Sequence, residues 1–342
     1  MSESSGPEGT DVTNGTESAR GSRIALVGGA GFIGSRLAPR LEEAGAEVRT
    51  IDLPGVEAGK REVAVGDVRD SDALQQVFAD CDCIVNLAAE HRDDVEPLSL
   101  YRDVNVEGAR NVCDAARAQG INRIVFTSTV AVYGFTDGRT VDENTPFAPF
   151  NEYGKTKAEA ERIFVEWQAE APDERSLVIV RPTVVFGEDN RGNVYNLLKQ
   201  VWSGRFVMIG DGKNRKSMAY VENVAAFLAH SMSFGAGVHV YNYVDKPDFD
   251  MNTLVSRTRQ TMGVEANTRI RVPYGVGKAI GKGLDGVARV LGRSFPISAI
   301  RIEKFCANTV FETGIAESGF VAPVPLEDGL DRTIRAEFLG RR

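Results

Sequence analysis

Short β-branched runs alternate with amphipathic stretches from residue 23 onward. RIALVGG (23–29), EVRTID (47–52), EVAVGD (62–67), CIVNLAA (83–89), RIVFTST (123–129) and SLVIVRP (176–182) read as strands. Between them, FIGSRLAPRLEEAG (32–45) reads as a helix stopped by Gly45 and SDALQQVFAD (71–80) as a helix capped by Ser71. Longer helices are expected at about 98–118 and 153–169. The strands are apolar on both faces, which suits a parallel sheet covered by helices on each side. The pattern thus predicts an α/β, doubly wound parallel sheet. Beyond 183 the alternation becomes irregular, so a larger domain is expected over 22–182 and a smaller C-terminal lobe over 183–342 that returns some elements to the sheet. In that lobe PYGVGKAIGKGLDGVARVLG (273–292) reads as a helix with one apolar stripe packed on the core, because Lys278, Lys282 and Asp285 interrupt it.

Residues 1–21 contain almost no apolar side chains and are expected to form a disordered tail. They hold no apolar signal core, and no run of 18 apolar residues follows anywhere, so a cytoplasmic protein is expected. The 48 acidic and 40 basic side chains leave a net charge of −8. Such a balance argues against a general nucleic-acid or anionic-membrane binder, since both need positive fields. Cys81, Cys83, Cys113 and Cys306 are too few and too scattered for a disulfide framework. His91, His230 and His239 lie far apart without metal-ligand spacing, so no metal is expected.

The first strand runs directly into Gly28-Gly29-Ala30-Gly31-Phe32-Ile33-Gly34, three glycines at GxxGxxG spacing between a strand and a helix. In that context Gly28 permits the tight turn, Gly31 lets a pyrophosphate approach the backbone, and Gly34 permits close packing of helix on sheet. The phosphates would sit at the helix N-terminus, beside Phe32 and Ile33. Asp52 ends the second strand, 18 residues after Gly34, where a carboxylate accepts hydrogen bonds from ribose hydroxyls and repels a 2′-phosphate. NAD is therefore the expected cofactor. Asp67, with the Val68 backbone, either reaches the adenine or caps a turn. Leu87, Ala88 and Ala89 are small enough to let a cofactor cross the sheet edge.

Tyr153 and Lys157 stand four apart at a helix start, which puts both on one face. A phenol with a free pKa near 10 is a poor base at neutral pH; a neighbouring ammonium and a nicotinamide cation lower it. The strand end Thr127-Ser128-Thr129 supplies hydroxyls to hold a reacting oxygen.

These motifs, with GDVRD (66–70), NLAA (86–89), VNVEGARNV (104–112), FTSTVAVYG (126–134), RPTVVFG (181–187), GDGKNRKSMAYVENV (210–224) and the terminal GFVAPVPLEDGL stretch (319–330), resemble the extended short-chain dehydrogenase/reductase family. Within it the chain is similar to the NAD-dependent nucleotide-sugar epimerase/dehydratase group over about 23–335. The resemblance implies a Rossmann-type cofactor domain and a substrate-binding lobe. It makes Tyr153 the acid/base, Lys157 the ligand of the nicotinamide ribose, and Thr129, four residues before Tyr133, the catalytic hydroxyl. Ser128 is a lesser candidate beside it. Asn105 matches the family's helix asparagine near the cofactor, and the Pro182 backbone would meet the nicotinamide carboxamide. His91 and Arg92 follow the strand where the family places residues over the substrate. Lys213, Arg215 and Lys216 match a loop that holds the nucleotide diphosphate, with lysine at 216 where the family has arginine. Arg301 resembles a further phosphate-binding arginine.

The resemblance also narrows the reaction. The family's 4,6-dehydratases carry Asp-Glu directly after the catalytic threonine, and here Val130 and Ala131 cannot transfer protons. What remains is oxidation of a sugar hydroxyl, after which the ketone is either re-reduced on its other face or released. The first is 4-epimerisation, expected here on a UDP-sugar. The second is a nucleotide-sugar dehydrogenase or 4-ketoreductase, and a non-catalytic dinucleotide-binding regulator is a third alternative. A homodimer through the helices at about 98–118 and 153–169 is expected by the same resemblance.

Overall fold

A computed structural model describes residues 19–92, 95–136, 138–264, 271–291 and 299–340. Its strands are β1 (Arg23–Val27), β2 (Glu47–Asp52), β3 (Val63–Val65), β4 (Cys83–Asn86), β5 (Arg123–Thr127), β6 (Ser176–Pro182), β7 (Val184–Phe186), β8 (Met208–Ile209), β9 (Arg215–Tyr220), β10 (Gly237–Tyr243), β11 (Asp245–Asp250) and β12 (Arg271–Val272). Its helices are α1 (Gly34–Glu43), α2 (Ser71–Val77), α3 (Ser99–Arg102), α4 (Gly108–Gln119), α5 (Glu152–Ala169), α6 (Asn193–Trp202), α7 (Val221–His230), α8 (Met251–Thr261), α9 (Tyr274–Leu291), α10 (Ala299–Cys306) and α11 (Leu326–Ile334).

Seven strands form one parallel sheet in the order β10-β6-β5-β4-β1-β2-β3. The chain works outward from β1 in one direction and from β4 in the other, so the order reverses between them. Ligands of open α/β sheets bind in the crevice at such a reversal, beyond the carboxyl ends of the strands. One apolar layer packs α2, α4 and α5 on one face through Phe78, Val112, Phe164 and Trp167. The opposite layer packs α1 and α7 through Leu37, Leu41, Phe227 and Leu228. β6 is buried at every position, which is why it reads as a continuous apolar run broken only by Arg181.

The lobe is built on a three-stranded sheet, β11-β9-β7, and a two-stranded pair, β12-β8. Its core gathers α6, α8 and α11 around Phe186, Leu198, Tyr220 and Leu330. From beyond 183, β10 returns to the main sheet as an edge strand and α7 returns to cover its face.

Several expectations need correction. The α2 cap is Asp70, whose carboxylate accepts from the Ala73 amide at 3.0 Å, and not Ser71. The expected helix at 98–118 is interrupted by a π-helical turn at Asp103–Glu107. Of the expected tail, 1–18 lie outside the described residues, but Ala19 is buried against the α1 and α7 layer and the Gly21 amide bonds the Gly45 carbonyl at 2.9 Å. No helix among the described residues is long and apolar enough to cross a membrane.

Candidate active site

The glycine loop leaves β1 with Gly28 at φ +71°, a left-handed conformation that glycine adopts without strain. A Cβ there would stand 2.9 Å from the Ala88 amide, so the first turn is pressed against the chain leaving β4. A Cβ on Gly34 would lie 2.5 Å from the Gly29 carbonyl, which closes the loop onto the first turn of α1. Gly31 is exposed, and a Cβ there would meet only the Gly28 carbonyl, at 3.1 Å. Its outward face is open to a ligand. Asp52 is fixed against the same loop: Ala30 and Leu53 amides donate to its two carboxylate oxygens at 3.1 and 2.9 Å. A cradle lined by glycine backbone with a fixed carboxylate at its side suits a pyrophosphate and an unphosphorylated ribose, so the residues fit NAD.

Other expected cofactor residues are placed around this cradle. Phe32 and Ile33 turn their side chains into the lobe core, which leaves their amides as the groups at the helix start. Asp67 is held by Arg69 through both oxygens, and that guanidinium keeps its carboxyl below the usual range; Arg69 donates its amide to it as well. This is the turn-capping alternative. The Val68 carbonyl accepts from Asn111 at 2.8 Å. Leu87, Ala88 and Ala89 leave β4 half-buried, with the Leu87 amide on the Val27 carbonyl. Pro182 ends β6 in register with Tyr243.

Tyr153 and Lys157 lie in the first turns of α5, whose start is capped by Asn151 accepting from the Gly154 amide at 2.9 Å. Lys157 is 1% exposed, donates to the Thr127 carbonyl at 2.7 Å and lies 4.0 Å above the Phe126 ring. Burial lowers it to about 7, against the opposing pull of Glu161 one turn on. Burial also pushes the Tyr153 phenol up to about 12; the hydrogen bond with Thr129 pulls it back, and Tyr101 raises it further. Thr129 accepts from the Ala131 amide at 3.2 Å, so its own proton is directed elsewhere. The Thr127 hydroxyl is buried without a hydrogen-bond partner at this strand end.

Ser128 departs from expectation. Its side chain is buried and its hydroxyl donates to Glu161, so it is not free to hold a reacting oxygen. Glu161 is paired with Arg181 at 2.6 Å, both nearly fully buried, and Arg181 also donates to the Tyr133 hydroxyl. Tyr133 passes the chain on to Asn242 of β10 at 2.8 Å. A polar network thus runs from beneath Lys157 to the edge strand. Sequence reading missed it, although an arginine inside the apolar SLVIVRP and a glutamate four residues after Lys157 were both visible.

Asn105 lies buried in the π-helical turn, a distortion that often marks a functional position. Its amide group accepts from the Glu90 amide at 2.9 Å and donates to the Glu90 carbonyl and the Thr156 hydroxyl, both at 3.0 Å. It therefore ties the chain after β4 to the catalytic helix. Glu90, not singled out from sequence, pairs with Arg92 at 3.1 Å, and His91 and Arg92 are exposed beside it.

In the lobe, Lys213 and Arg215 are exposed, Arg215 lying 3.6 Å from Asp248. Lys216 donates to the Ala307 carbonyl at 2.7 Å, and burial lowers it to about 8. Arg301 belongs to α10, but its side chain lies outside the described residues. Among the described residues no acidic, cysteine and histidine cluster could hold a metal.

A doubly wound sheet with a glycine cradle, and a tyrosine, lysine and threonine at the carboxyl ends of its strands, defines a dinucleotide-dependent oxidoreductive enzyme. The family model for the NAD dependent epimerase/dehydratase family matches residues 24–243, and the chain belongs to that family. It is an NAD-dependent enzyme. The N-acetyl-alpha-D-glucosaminyl-diphospho-ditrans,octacis-undecaprenol 4-epimerase of Escherichia coli O157:H7 is 48% identical over 320 residues, 92% of this chain and 95% of that protein. Solved structures share the fold at lower identity. The UDP-glucose 4-epimerase of Thermus thermophilus, complexed with NAD, superposes with a TM-score of 0.71 at 21% identity, over 92% of this chain and 98% of that one. The UDP-N-acetylglucosamine 4-epimerase of Methanobrevibacter ruminantium M1 does so with a TM-score of 0.71 at 20% identity, over 93% and 98%.

Proposed function

We infer that this enzyme is a C4 epimerase of a sugar carried on a diphosphate, and propose that the sugar is an N-acetylhexosamine on a polyprenyl diphosphate. The supporting observation is the 48% identity, over nearly the whole of both chains, to an epimerase named for such a substrate. The UDP-sugar expected from sequence stays as the second reading, favoured by the shared fold of the UDP-sugar epimerases.

In this reading Gly28, Gly31, Gly34 and Asp52 would hold NAD, which when bound takes up and returns the hydrogen at C4. Tyr153 removes the proton of the C4 hydroxyl, and Thr129 holds that oxygen in line. The phenol, high in the protein alone, is brought toward neutrality by the Lys157 ammonium and the cofactor's cation. Asn105 fixes the wall over the sugar by holding Glu90. The 4-keto sugar turns its other face, and Tyr153 returns the proton. With Val130 and Ala131 after Thr129, no side chain there can drive elimination of water. Lys216, with Lys213 and Arg215, meets the diphosphate. A homodimer through α4 and α5 accompanies this reading, and light scattering at micromolar concentration tests it.

The assay is purified protein without added cofactor, given polyprenyl-diphospho-N-acetylglucosamine or UDP-N-acetylglucosamine in parallel. The lipid-linked sugar is expected to reach a mixture of C4 epimers over many turnovers. Conversion of the UDP-sugar alone overturns the polyprenyl assignment. A single stoichiometric oxidation in both arms overturns epimerisation.

A further inference from the structure

The described half of α9 is built the opposite way from the sequence expectation. Its inward positions are glycines: Gly277 and Gly281 are buried, and a Cβ on Gly277 would stand 2.8 Å from the Ile209 side chain of β8. The helix sits close on the lobe by having no side chain there, and its apolar side chains face outward. Val276 and Ile280, one turn apart, are each 51% exposed, with exposed Ala279 beside Val276, while Tyr274 lies under Lys278 with its ring 5.7 Å from the ammonium. Adjacent on one flank of the helix, Val276 and Ile280 form an apolar patch open to a partner.

The charge around this face selects the partner. Along α9 the sequence carries Lys278, Lys282 and Arg289 against Asp285, in a chain of net charge −8, and Lys278 also faces Glu303 of α10 at 3.6 Å, a pair exposed enough for a phosphate to compete with. An acidic protein carrying a basic helix whose described half is apolar outward is oriented by an anionic surface with that helix foremost. The helix also borders a pocket of about 340 Å³ lined by Gly210, Asp211, Asn214, Tyr274, Glu303 and Cys306, next to the loop proposed to meet the diphosphate. A polyprenyl chain leaving that pocket would need an apolar path into a bilayer, and the exposed face of α9 begins at Tyr274.

We propose that the N-terminal half of α9 is a membrane-surface contact, Val276 and Ile280 entering the headgroup boundary of an anionic bilayer with Lys278 and Lys282 on its phosphates. The proposal rests on the polyprenyl-diphosphate reading. It sets a local surface against the general argument from net charge.

The test floats the full-length protein, without sugar substrate, on phosphatidylglycerol-containing vesicles and on phosphatidylcholine vesicles. Preferential recovery with the anionic vesicles is expected. The Val276→Glu/Ile280→Glu variant should lose about tenfold or more of that partitioning. A water-soluble, ten-carbon prenyl diphospho-N-acetylglucosamine should be turned over equally by parent and variant, showing that the variant is folded. Equal flotation of parent and variant, no flotation of the parent, or a variant that only loses self-association in light scattering overturns the proposal. Inactivity of the parent on the prenyl substrate instead overturns the substrate reading, whatever the vesicles show.

Discussion

Lys157 and Lys216 are two desolvated lysines, one in each half of the molecule, and each donates to a main-chain carbonyl at 2.7 Å. Burial lowers both, to about 7 and about 8. Their surroundings separate them. Lys157 sits on an aromatic ring with Glu161 one turn away, inside a network that crosses the sheet to β10. Lys216 stands at the start of β9 against the end of α10, where the Cys306 thiol is the group that raises it. A desolvated ammonium is a costly object unless an anion or a row of hydroxyls arrives to meet it. In the proposed reading the first lysine meets a bound cofactor and the second a substrate's phosphates.

The largest separation between the two is expected from Lys157→Met. Turnover should fall by about 10²- to 10⁴-fold, the range for removing support from a general acid/base. Stability should move the other way. The folded lysine titrates near 7 and the unfolded one near 10.5, so between those values the unfolded chain binds more protons and stability rises with pH. Below about 7 the full penalty of burial applies. Methionine removes it, so at pH 7 the variant should be more stable by on the order of 1–4 kcal/mol, and the gap should close as pH approaches 10.5. Chemical denaturation at pH 7 and pH 10 checks this, and a variant less stable at both would refute the account of Lys157.

Glu161→Gln breaks the network under Lys157 and removes the charge that opposes the lysine's lowering, while the lysine itself stays in place. Arg181 would then be buried with no carboxylate, and removing one partner of such a pair costs about 3–5 kcal/mol. Denaturation midpoints read the loss. A change below about 1 kcal/mol, within the range of an exposed pair, would mean that water replaces the carboxylate.

What the sequence disclosed about these halves follows from distance along the chain. The glycine cradle and the Tyr153–Lys157 pair are local: a turn, a helix face and a strand end fix them, and spacing is enough to find them. Ser128 was assigned to the substrate because it neighbours Thr129, but alternate residues of a strand end face opposite ways, and its partner Glu161 comes 33 residues later. β10 escaped notice because an edge strand is half-exposed, so GVHVYNY lacks the apolar run of β6. α9 misled because its apolar side chains were taken as the packing stripe between Lys278, Lys282 and Asp285, when in its described half the glycines pack inward. Lys216 had no local signal, and its place rested on resemblance alone.

The smallest effect, and the one that most sharpens the contrast, is expected from Lys216. A diphosphate bound beside it would hold the proton on the ammonium, so binding takes up a proton wherever the free enzyme has lost it, above about pH 8. KM of the parent should therefore be flat below 8 and rise above it, while kcat stays nearly constant. Lys216→Met should raise KM about tenfold at pH 7, the scale of one charge-assisted contact, and abolish the rise above 8. Lys216→Arg should restore the low KM and keep it flat, because a guanidinium does not deprotonate in this range. A parent whose KM ignores pH, or an arginine variant that keeps the rise above 8, would remove Lys216 from the diphosphate and leave its titration a consequence of packing.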